Sequence, residues 1–362
     1  MEKLAAGIIG SGAISEYHIR GYQSSGVKVV AIADPLMERA KAQATRFHIE
    51  KVFASDKEML EKCPEISLVS VCAPNKFHAG IAINAMQSGR HVFCEKPPAL
   101  NAAETLKMKE VAEETKKVLM FNFNNRARPE AQALMAYIKS GEVGRINSAQ
   151  AVWVRRCGLP ALGGWFTQKK LSGGGPVIDL LHMIDLALYF MGFPEPEWVL
   201  AQTFYDFAGN PDFKGPWGLP EPEGGAPMDV ETSSHAFIRF QTGQVLSART
   251  SWAEMVKREE VSVTFQGTKA GGMIRRLFRR DGIDATAVDD CELYTMENGR
   301  PVNRKIIVPP DEKMGREKSV NNFVNVVLGR ENPLSTPAEA VILMKIIDAL
   351  YLSAERGEPV RL

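Results

Sequence analysis

The chain has 362 residues, 44 Lys+Arg against 43 Asp+Glu, a formal net charge of +1, 45% hydrophobic and 24% charged residues. That length and composition predict two domains with full cores, and the balanced charge excludes nucleic-acid binding through a general positive field. No apolar run approaches the roughly 20 residues of a membrane span, and Glu2 and the break at Gly10 spoil a secretory leader. Cys63, Cys72, Cys94, Cys157 and Cys291 are scattered without a C-x-x-C pair, which fits reduced thiols in a cytoplasm rather than a zinc or disulfide framework.

Taken in chain order, Leu4–Gly10 reads as a buried strand, followed by a Gly/Ser turn and a helix through Ser24. Val27–Asp34, Ile66–Ala73, His91–Cys94 and Val118–Phe123 are further strands, and Leu36–Phe47, Phe77–Ser88 and Asn101–Thr115 are helices between them. Strands that are nearly continuous apolar runs, alternating with helices, predict βαβ units and an α/β domain whose parallel sheet is covered on both faces. After about residue 125 the texture changes. Pro129–Ser140 is helical, and Ile146–Arg155, Trp198–Tyr205, Val230–Phe240, Val245–Trp252 and Val261–Phe265 read as strands of a largely antiparallel sheet with one open face. Residues 241–244 form a hairpin turn, and Gly209–Pro227, rich in Gly and Pro, reads as a loop. Thr336, Pro337 and Glu339 open a last helix, to Arg356, with a capping box. The expected domains are 1–124, an α/β domain, and 125–335, an α+β domain. The terminal helix and tail, 336–362, are expected to pack back on the first domain.

Gly10-Ser11-Gly12-Ala13-Ile14-Ser15 follows the first strand and opens the first helix. A dinucleotide needs Gly10 for the tight turn, Gly12 for close approach of the pyrophosphate, and a small residue at Ser15 for packing. The amides at the helix start then hold the phosphates. Asp34 ends the second strand 22 residues beyond Gly12. A carboxylate there accepts from ribose hydroxyls and repels a 2′-phosphate, favouring NAD over NADP. A Gly-rich strand–helix turn without a ligand is the competing reading of the motif alone.

Two further segments carry candidate chemistry. Glu95-Lys96-Pro97 stands at the end of a parallel strand, where open α/β sheets bind ligands, and Lys96 there can donate to a substrate oxygen. An exposed lysine before a loop is the alternative. Gly173 to Asp185 (GGGPVIDLLHMID) enters a helix, and the three-residue spacing of Asp179, His182 and Asp185 places them on one helix face. His182 suits abstraction of a hydroxyl proton, with Asp179 as its orienting carboxylate. The alternatives are a buried histidine that satisfies backbone groups, and a metal stripe lacking a third ligand.

Together these motifs resemble the Gfo/Idh/MocA family, the glucose–fructose oxidoreductase and inositol dehydrogenase group. The likeness spans nearly the whole chain: the Gly-rich turn, Ala73-Pro74-Asn75 with His78, Glu95-Lys96-Pro97, Arg126–Pro129 and the glycines before Asp179. The resemblance implies a Rossmann domain followed by an open-faced sheet, a homodimer or homotetramer, and often a cis peptide before Pro97. It implies Lys96, His182 and Asp179 in the catalytic centre, and Asn75, His78 and Asn124 near the nicotinamide half of the cofactor. Arg156 and Trp165 become candidate substrate contacts. One departure stands out: the family commonly spaces this Asp and His by four residues, and here the spacing is three. The expected activity is NAD(P)-dependent hydride transfer at a carbohydrate or polyol hydroxyl, with no metal, nucleic acid or membrane partner. A glycoside hydrolase working through transient oxidation and an NAD-sensing regulator are the competing functions. Arg275-Arg276 and Arg279-Arg280, with Asp281, Asp284, Asp289 and Asp290 following, read as a solvated edge or interface. His18, His48 and His91 read as structural, and Cys94 as no nucleophile.

Overall fold

The computed structural model describes residues 4–218, 227–278 and 289–362. Arg279, Arg280, Asp281, Asp284 and part of the 209–227 loop lie outside the described residues. In chain order the elements are β1 Ala5–Ile9, α1 Ser15–Ser24, β2 Lys28–Ala33, α2 Met37–Phe47, β3 Lys51–Phe53, α3 Asp56–Lys62, β4 Leu68–Val71, α4 His78–Gln87, β5 His91–Cys94, α5 Ala102–Thr115 and β6 Leu119–Phe121. Then follow α6 Pro129–Lys139, β7 Ile146–Val154, α7 Lys169–Ser172, α8 Pro176–Asp179, α9 His182–Met191, β8 Pro196–Phe204, β9 Ser233–Phe240, β10 Val245–Ser251, β11 Glu259–Gly267, β12 Gly271–Phe278, β13 Asp290–Glu297 and β14 Arg300–Lys305. The chain closes with α10 Arg316–Val327, α11 Pro337–Arg356 and β15 Val360–Arg361. Among the described residues no single helix is long and apolar enough to cross a membrane.

The chain divides into two compact units, 1–127 with 313–341 and 128–312 with 342–362. The first holds a parallel sheet of order β3-β2-β1-β4-β5-β6. Every residue of β1 and β4 is buried, as a sheet covered on both faces requires. The order reverses between β1 and β4, and this switch point is where such sheets bind ligands, at the carboxyl ends of the strands.

The sequence places 313–335 in the second domain, whereas the structure returns the chain to the first unit at residue 313. The apolar face of α10 is the reason: Val320, Phe323 and Val324 share a core with Ile19 and Tyr22 of α1. Gly21 permits that approach, because a Cβ there would stand 2.6 Å from Val320 Cβ. The predicted capping box of α11 is present, with Glu339 N donating to Thr336 Oγ1 at 3.3 Å and Thr336 N to Glu339 Oε2 at 3.0 Å. Buried Arg126 donates to the same Glu339 oxygen at 2.7 Å and to the Leu334 carbonyl at 2.7 Å. The tail departs from its expected destination, since β15 pairs with β8 in the second sheet.

The second unit holds nine strands in the order β14-β13-β12-β11-β7-β10-β9-β8-β15. The described pairings are antiparallel apart from β10 with β7. Burial alternates along β9, and α9 lies on the covered face, where Phe190 meets Phe265 edge-on at 5.5 Å. Strands β12–β14 escape the pattern reading because β12 opens on two glycines and carries Arg275 and Arg276. The solvated edge expected there is partly a core feature: buried Arg276 donates to Glu130 Oε1 at 2.7 Å and Arg128 to the same oxygen at 2.6 Å. Arg275 donates to Asp290 at 2.7 Å.

Candidate active site

The turn after β1 is shaped from both sides. Gly10 has φ +96°, and a Cβ there would lie 2.5 Å from the Cys72 backbone, so only glycine fits. At Gly12 an added Cβ meets no atom within 4 Å, so protein packing does not demand glycine there. Close approach by a pyrophosphate does. Ser15 is buried and donates to the Gly12 carbonyl at 2.7 Å, which fixes the first turn of α1. No side chain caps that helix start, where Ser15 N and Tyr17 N donate to the Gly12 and Ile14 carbonyls at 3.0 and 3.1 Å. Asp34, just past β2, accepts from Ser11 N at 2.8 Å, Ser11 Oγ at 2.7 Å and Leu36 N at 2.8 Å. The carboxylate is thereby held beside the turn, and the residues present fit a dinucleotide with an unphosphorylated ribose. Asp34→Ser should shift preference toward NADP by about 10–100-fold, the worth of one charged hydrogen bond. The ratio of kcat/KM values for NADP and NAD reads it; an unchanged ratio removes the role.

Lys96 is half-buried at the end of β5, and the Lys96–Pro97 peptide is cis. The carboxylate of Glu95 turns inward: Oε1 accepts from His18 Nε2 at 2.8 Å and Asn122 Nδ2 at 2.6 Å, and Oε2 from Lys96 N at 3.2 Å. Burial alone would raise the Glu95 pKa, but the His18 bond and charge, the Asn122 bond and the Lys96 charge outweigh it and hold it at about 2. Asn75 is buried after β4, and His78 opens α4 with its ring between the Pro97 carbonyl, 2.7 Å from Nδ1, and the Ala73 carbonyl, 2.8 Å from Nε2. Two carbonyls favour the imidazolium, yet full burial lowers the His78 pKa on balance. His78 therefore braces the two strand-end loops against each other. Buried Asn124 donates to the Met314 carbonyl at 2.7 Å. Burial pushes the Cys94 thiol well above its ordinary value, consistent with no nucleophilic role.

Asp179 and His182 belong to the second unit, and they do not share one helix. Asp179 ends α8 and His182 begins α9, and the helical path changes direction by 56° between them. The continuous polar stripe expected from their spacing is therefore broken. Half-buried Asp179 accepts from Trp252 Nε1 at 2.9 Å, while the buried His182 ring lies 5.9 Å from that of Trp153. Trp153 lies one residue before the end of β7 and Trp252 follows β10, so two adjacent strands present the two indoles.

An unforeseen residue holds this segment. Glu231 is 1% exposed and accepts from Gly175 N at 3.0 Å, Val177 N at 3.1 Å and the Tyr351 hydroxyl at 2.9 Å. A Cβ at Gly175 would lie 2.3 Å from the Glu231 carbonyl, so the glycine run is what lets the strand and the helix start meet. Burial raises the Glu231 pKa despite these donors. Arg155 is the second such residue. Its guanidinium lies 5.6 Å from the Trp153 ring and 5.4 Å from that of Trp217, whereas the neighbouring Arg156 donates to the Val256 carbonyl at 3.3 Å. Trp165 stacks on Phe166 at 3.7 Å, Phe166 meets Trp217 at 5.1 Å, and Trp217 meets Trp252 at 5.7 Å. A continuous run of rings thus links Trp165 to the partner of Asp179. Neither Arg155 nor Glu231 had a sequence signal, since Trp153, Val154 and Arg155 are all buried at the end of β7 and Glu231 stands alone.

Among the described residues no group of three or more His, Cys, Asp or Glu is placed to hold a metal. The profile of an oxidoreductase family, NAD-binding Rossmann fold, matches residues 4–123, and that of its C-terminal alpha/beta domain matches 136–362. The chain belongs to the Gfo/Idh/MocA oxidoreductase family. Within the family, D-glucoside 3-dehydrogenase of Escherichia coli (strain K12) is 32% identical over 367 residues, covering 99% of this chain and 97% of that protein. Levoglucosan dehydrogenase of Pseudarthrobacter phenanthrenivorans is 29% identical over 309 residues, 80% of this chain and 78% of that protein. A solved levoglucosan dehydrogenase in complex with NADH and L-sorbose superposes with a TM-score of 0.82 at 24% identity, covering 100% of this chain and 99% of that one. That likeness speaks for the fold, a Rossmann domain followed by a mixed, largely antiparallel sheet.

Proposed function

We propose that the protein is an NAD-dependent dehydrogenase that oxidises a secondary hydroxyl of a carbohydrate, with glucosides the first class to test. The carrying observation is the Gly10–Ile14 turn with Asp34 pinned beside it by Ser11, in a chain matched from end to end by a glucoside dehydrogenase. Relatives named as dehydrogenases and oxidoreductases favour this reading over a hydrolase or a sensor.

Bound NAD supplies the hydride acceptor. The amides of Gly12 to Ile14 would hold its pyrophosphate, the Ser11 amide being taken by Asp34, and Asp34 would hold its ribose hydroxyls. Asn75, His78 and Asn124 shape the loops beside the nicotinamide half, His78 and Asn124 through the carbonyls they bind. Lys96 donates to the reacting oxygen and stabilises charge that develops there. His182 takes the hydroxyl proton as the carbon loses hydride, and Asp179, held by Trp252, fixes the polarity around it. Trp165 and Arg156 are proposed sugar contacts, joined by Arg155. The free thiols fit a reducing compartment, and the exposed Leu200 and Phe237 of the open sheet face fit a homo-oligomer, which light scattering against the 39.9 kDa chain mass reads.

The test is a panel of methyl glucosides, free hexoses, anhydrosugars and inositols, followed by reduced-nicotinamide absorbance. NADH should accumulate with glucosides. Bound NAD with no reduction by any sugar would refute the reading.

A further inference from the structure

His18 lies one turn into α1 and is fully buried. Its ring bridges two strands: Nε2 stands 2.8 Å from Glu95 Oε1 and Nδ1 2.9 Å from Ser70 Oγ, which in turn is 2.9 Å from the Tyr22 hydroxyl. A carboxylate has no proton to give, so Nε2–H is the donor. The carboxylate also accepts from Asn122 at the end of β6 and from the Lys96 amide. Four elements, α1, β4, β5 and β6, thus converge on the turn that carries Lys96. The other titratable groups facing Glu95 are His78 of α4, Cys72 and Cys94; burial lowers the first and raises the thiols, which keeps all three uncharged at neutral pH.

We infer that His18 is a positioning residue for Lys96: it fixes the Glu95 carboxylate, and Glu95, through the Lys96 amide, fixes the backbone from which the Lys96 side chain reaches the substrate oxygen. This rests on the proposed role of Lys96. It assigns Glu95 to supporting the turn from within, and His18 to the reaction rather than to the core alone. Buried ion-supporting pairs of this kind act on geometry, so the loss should fall on turnover and spare cofactor binding.

The full-length protein is assayed with NAD and methyl β-D-glucoside, or the panel sugar turned over fastest. His18→Leu removes the donor, and His18→Gln returns an amide donor at similar reach. We expect kcat to fall about 10–100-fold in His18→Leu, as for other supporting partners of a site, with KM for NAD changed less than about threefold. His18→Gln should recover most of the loss. Wild-type kcat in a folded His18→Leu protein overturns the inference, as do equal losses in both variants accompanied by a raised KM for NAD. Should His18→Leu melt below assay temperature, Glu95→Gln decides: a kcat loss with KM for NAD intact supports the inference, and an unchanged kcat overturns it. Lys96→Met serves as the control. Full turnover in Lys96→Met defeats the reading of Lys96 itself, whereas an inactive Lys96→Met beside a fully active His18→Leu defeats only the coupling.

Discussion

His182→Ala and Lys96→Met should each lower kcat by about 10²–10⁴-fold, the usual worth of a positioned acid–base group. NAD binding, followed by titration of nucleotide fluorescence, should stay within about threefold, because neither side chain belongs to the Gly10–Ile14 turn or to Asp34. The two losses should not add. On the proposed roles, Lys96 would stabilise charge on the oxygen from which His182 would take the proton, so removing one would leave little for the other to do, and the double variant should fall only slightly below the worse single one. Asp179→Asn should be milder than either, since Trp252 Nε1 still finds an oxygen to donate to. Near-normal turnover in both single variants would remove these residues from the chemistry.

Glu231→Ala should have the largest effect on stability. It leaves the amides of Gly175 and Val177 and the Tyr351 hydroxyl without this acceptor in a buried place. At 1–3 kcal/mol for each buried unsatisfied group, partly relieved by entering water, a loss of about 3 kcal/mol follows. For a domain of this size that is a fall in Tm of roughly 6–12 °C. Glu231→Gln keeps an acceptor and should lose far less. The pH dependence gives a second check. Because the folded pKa of Glu231 is raised, its contribution to stability is fully present below the unfolded carboxyl value and declines as pH rises through the folded one. Glu231→Gln cannot ionise, so the melting curve of that variant should lose this decline above about pH 4.5. Turnover should suffer in Glu231→Ala as well, since the segment released carries Asp179 and His182. An Ala variant as stable as wild type would dismiss the clamp.

The contrast between these two residue sets shows what could be read in one dimension. Gly10, Gly12 and Asp34 are legible because turn chemistry and the strand–helix period are local, and the same holds for Thr336 and Glu339 at the start of α11. Glu231 is not legible, since its partners stand 56 and 120 residues away and a lone acid before a strand has no pattern of its own. His18 and Glu95 are 77 residues apart and meet only because α1 packs over β4 and β5. The break between α8 and α9 misleads for a different reason. Leu180 and Leu181 are good helix formers, so Asp179 to Asp185 reads as one continuous helix. The structure interrupts it where Asp179 accepts from Trp252 and Gly175, before Pro176, donates to Glu231, partners far along the chain. The return of α10 to the first core is likewise a tertiary choice, carried by Val320, Phe323 and the missing side chain of Gly21.

The most direct measurement of the central claim follows the hydrogen itself. A glucoside carrying deuterium on each ring carbon in turn is incubated with the protein and NAD, and the nicotinamide is isolated and its mass and C4 deuterium measured. The account predicts that one labelled position, and that position alone, delivers its deuterium to C4, with a ketone appearing at that carbon and the transfer slowed in Lys96→Met to the same degree as its kcat. Reduced nicotinamide without deuterium from any position, or a hydrolysed glucoside with the label retained, would contradict it.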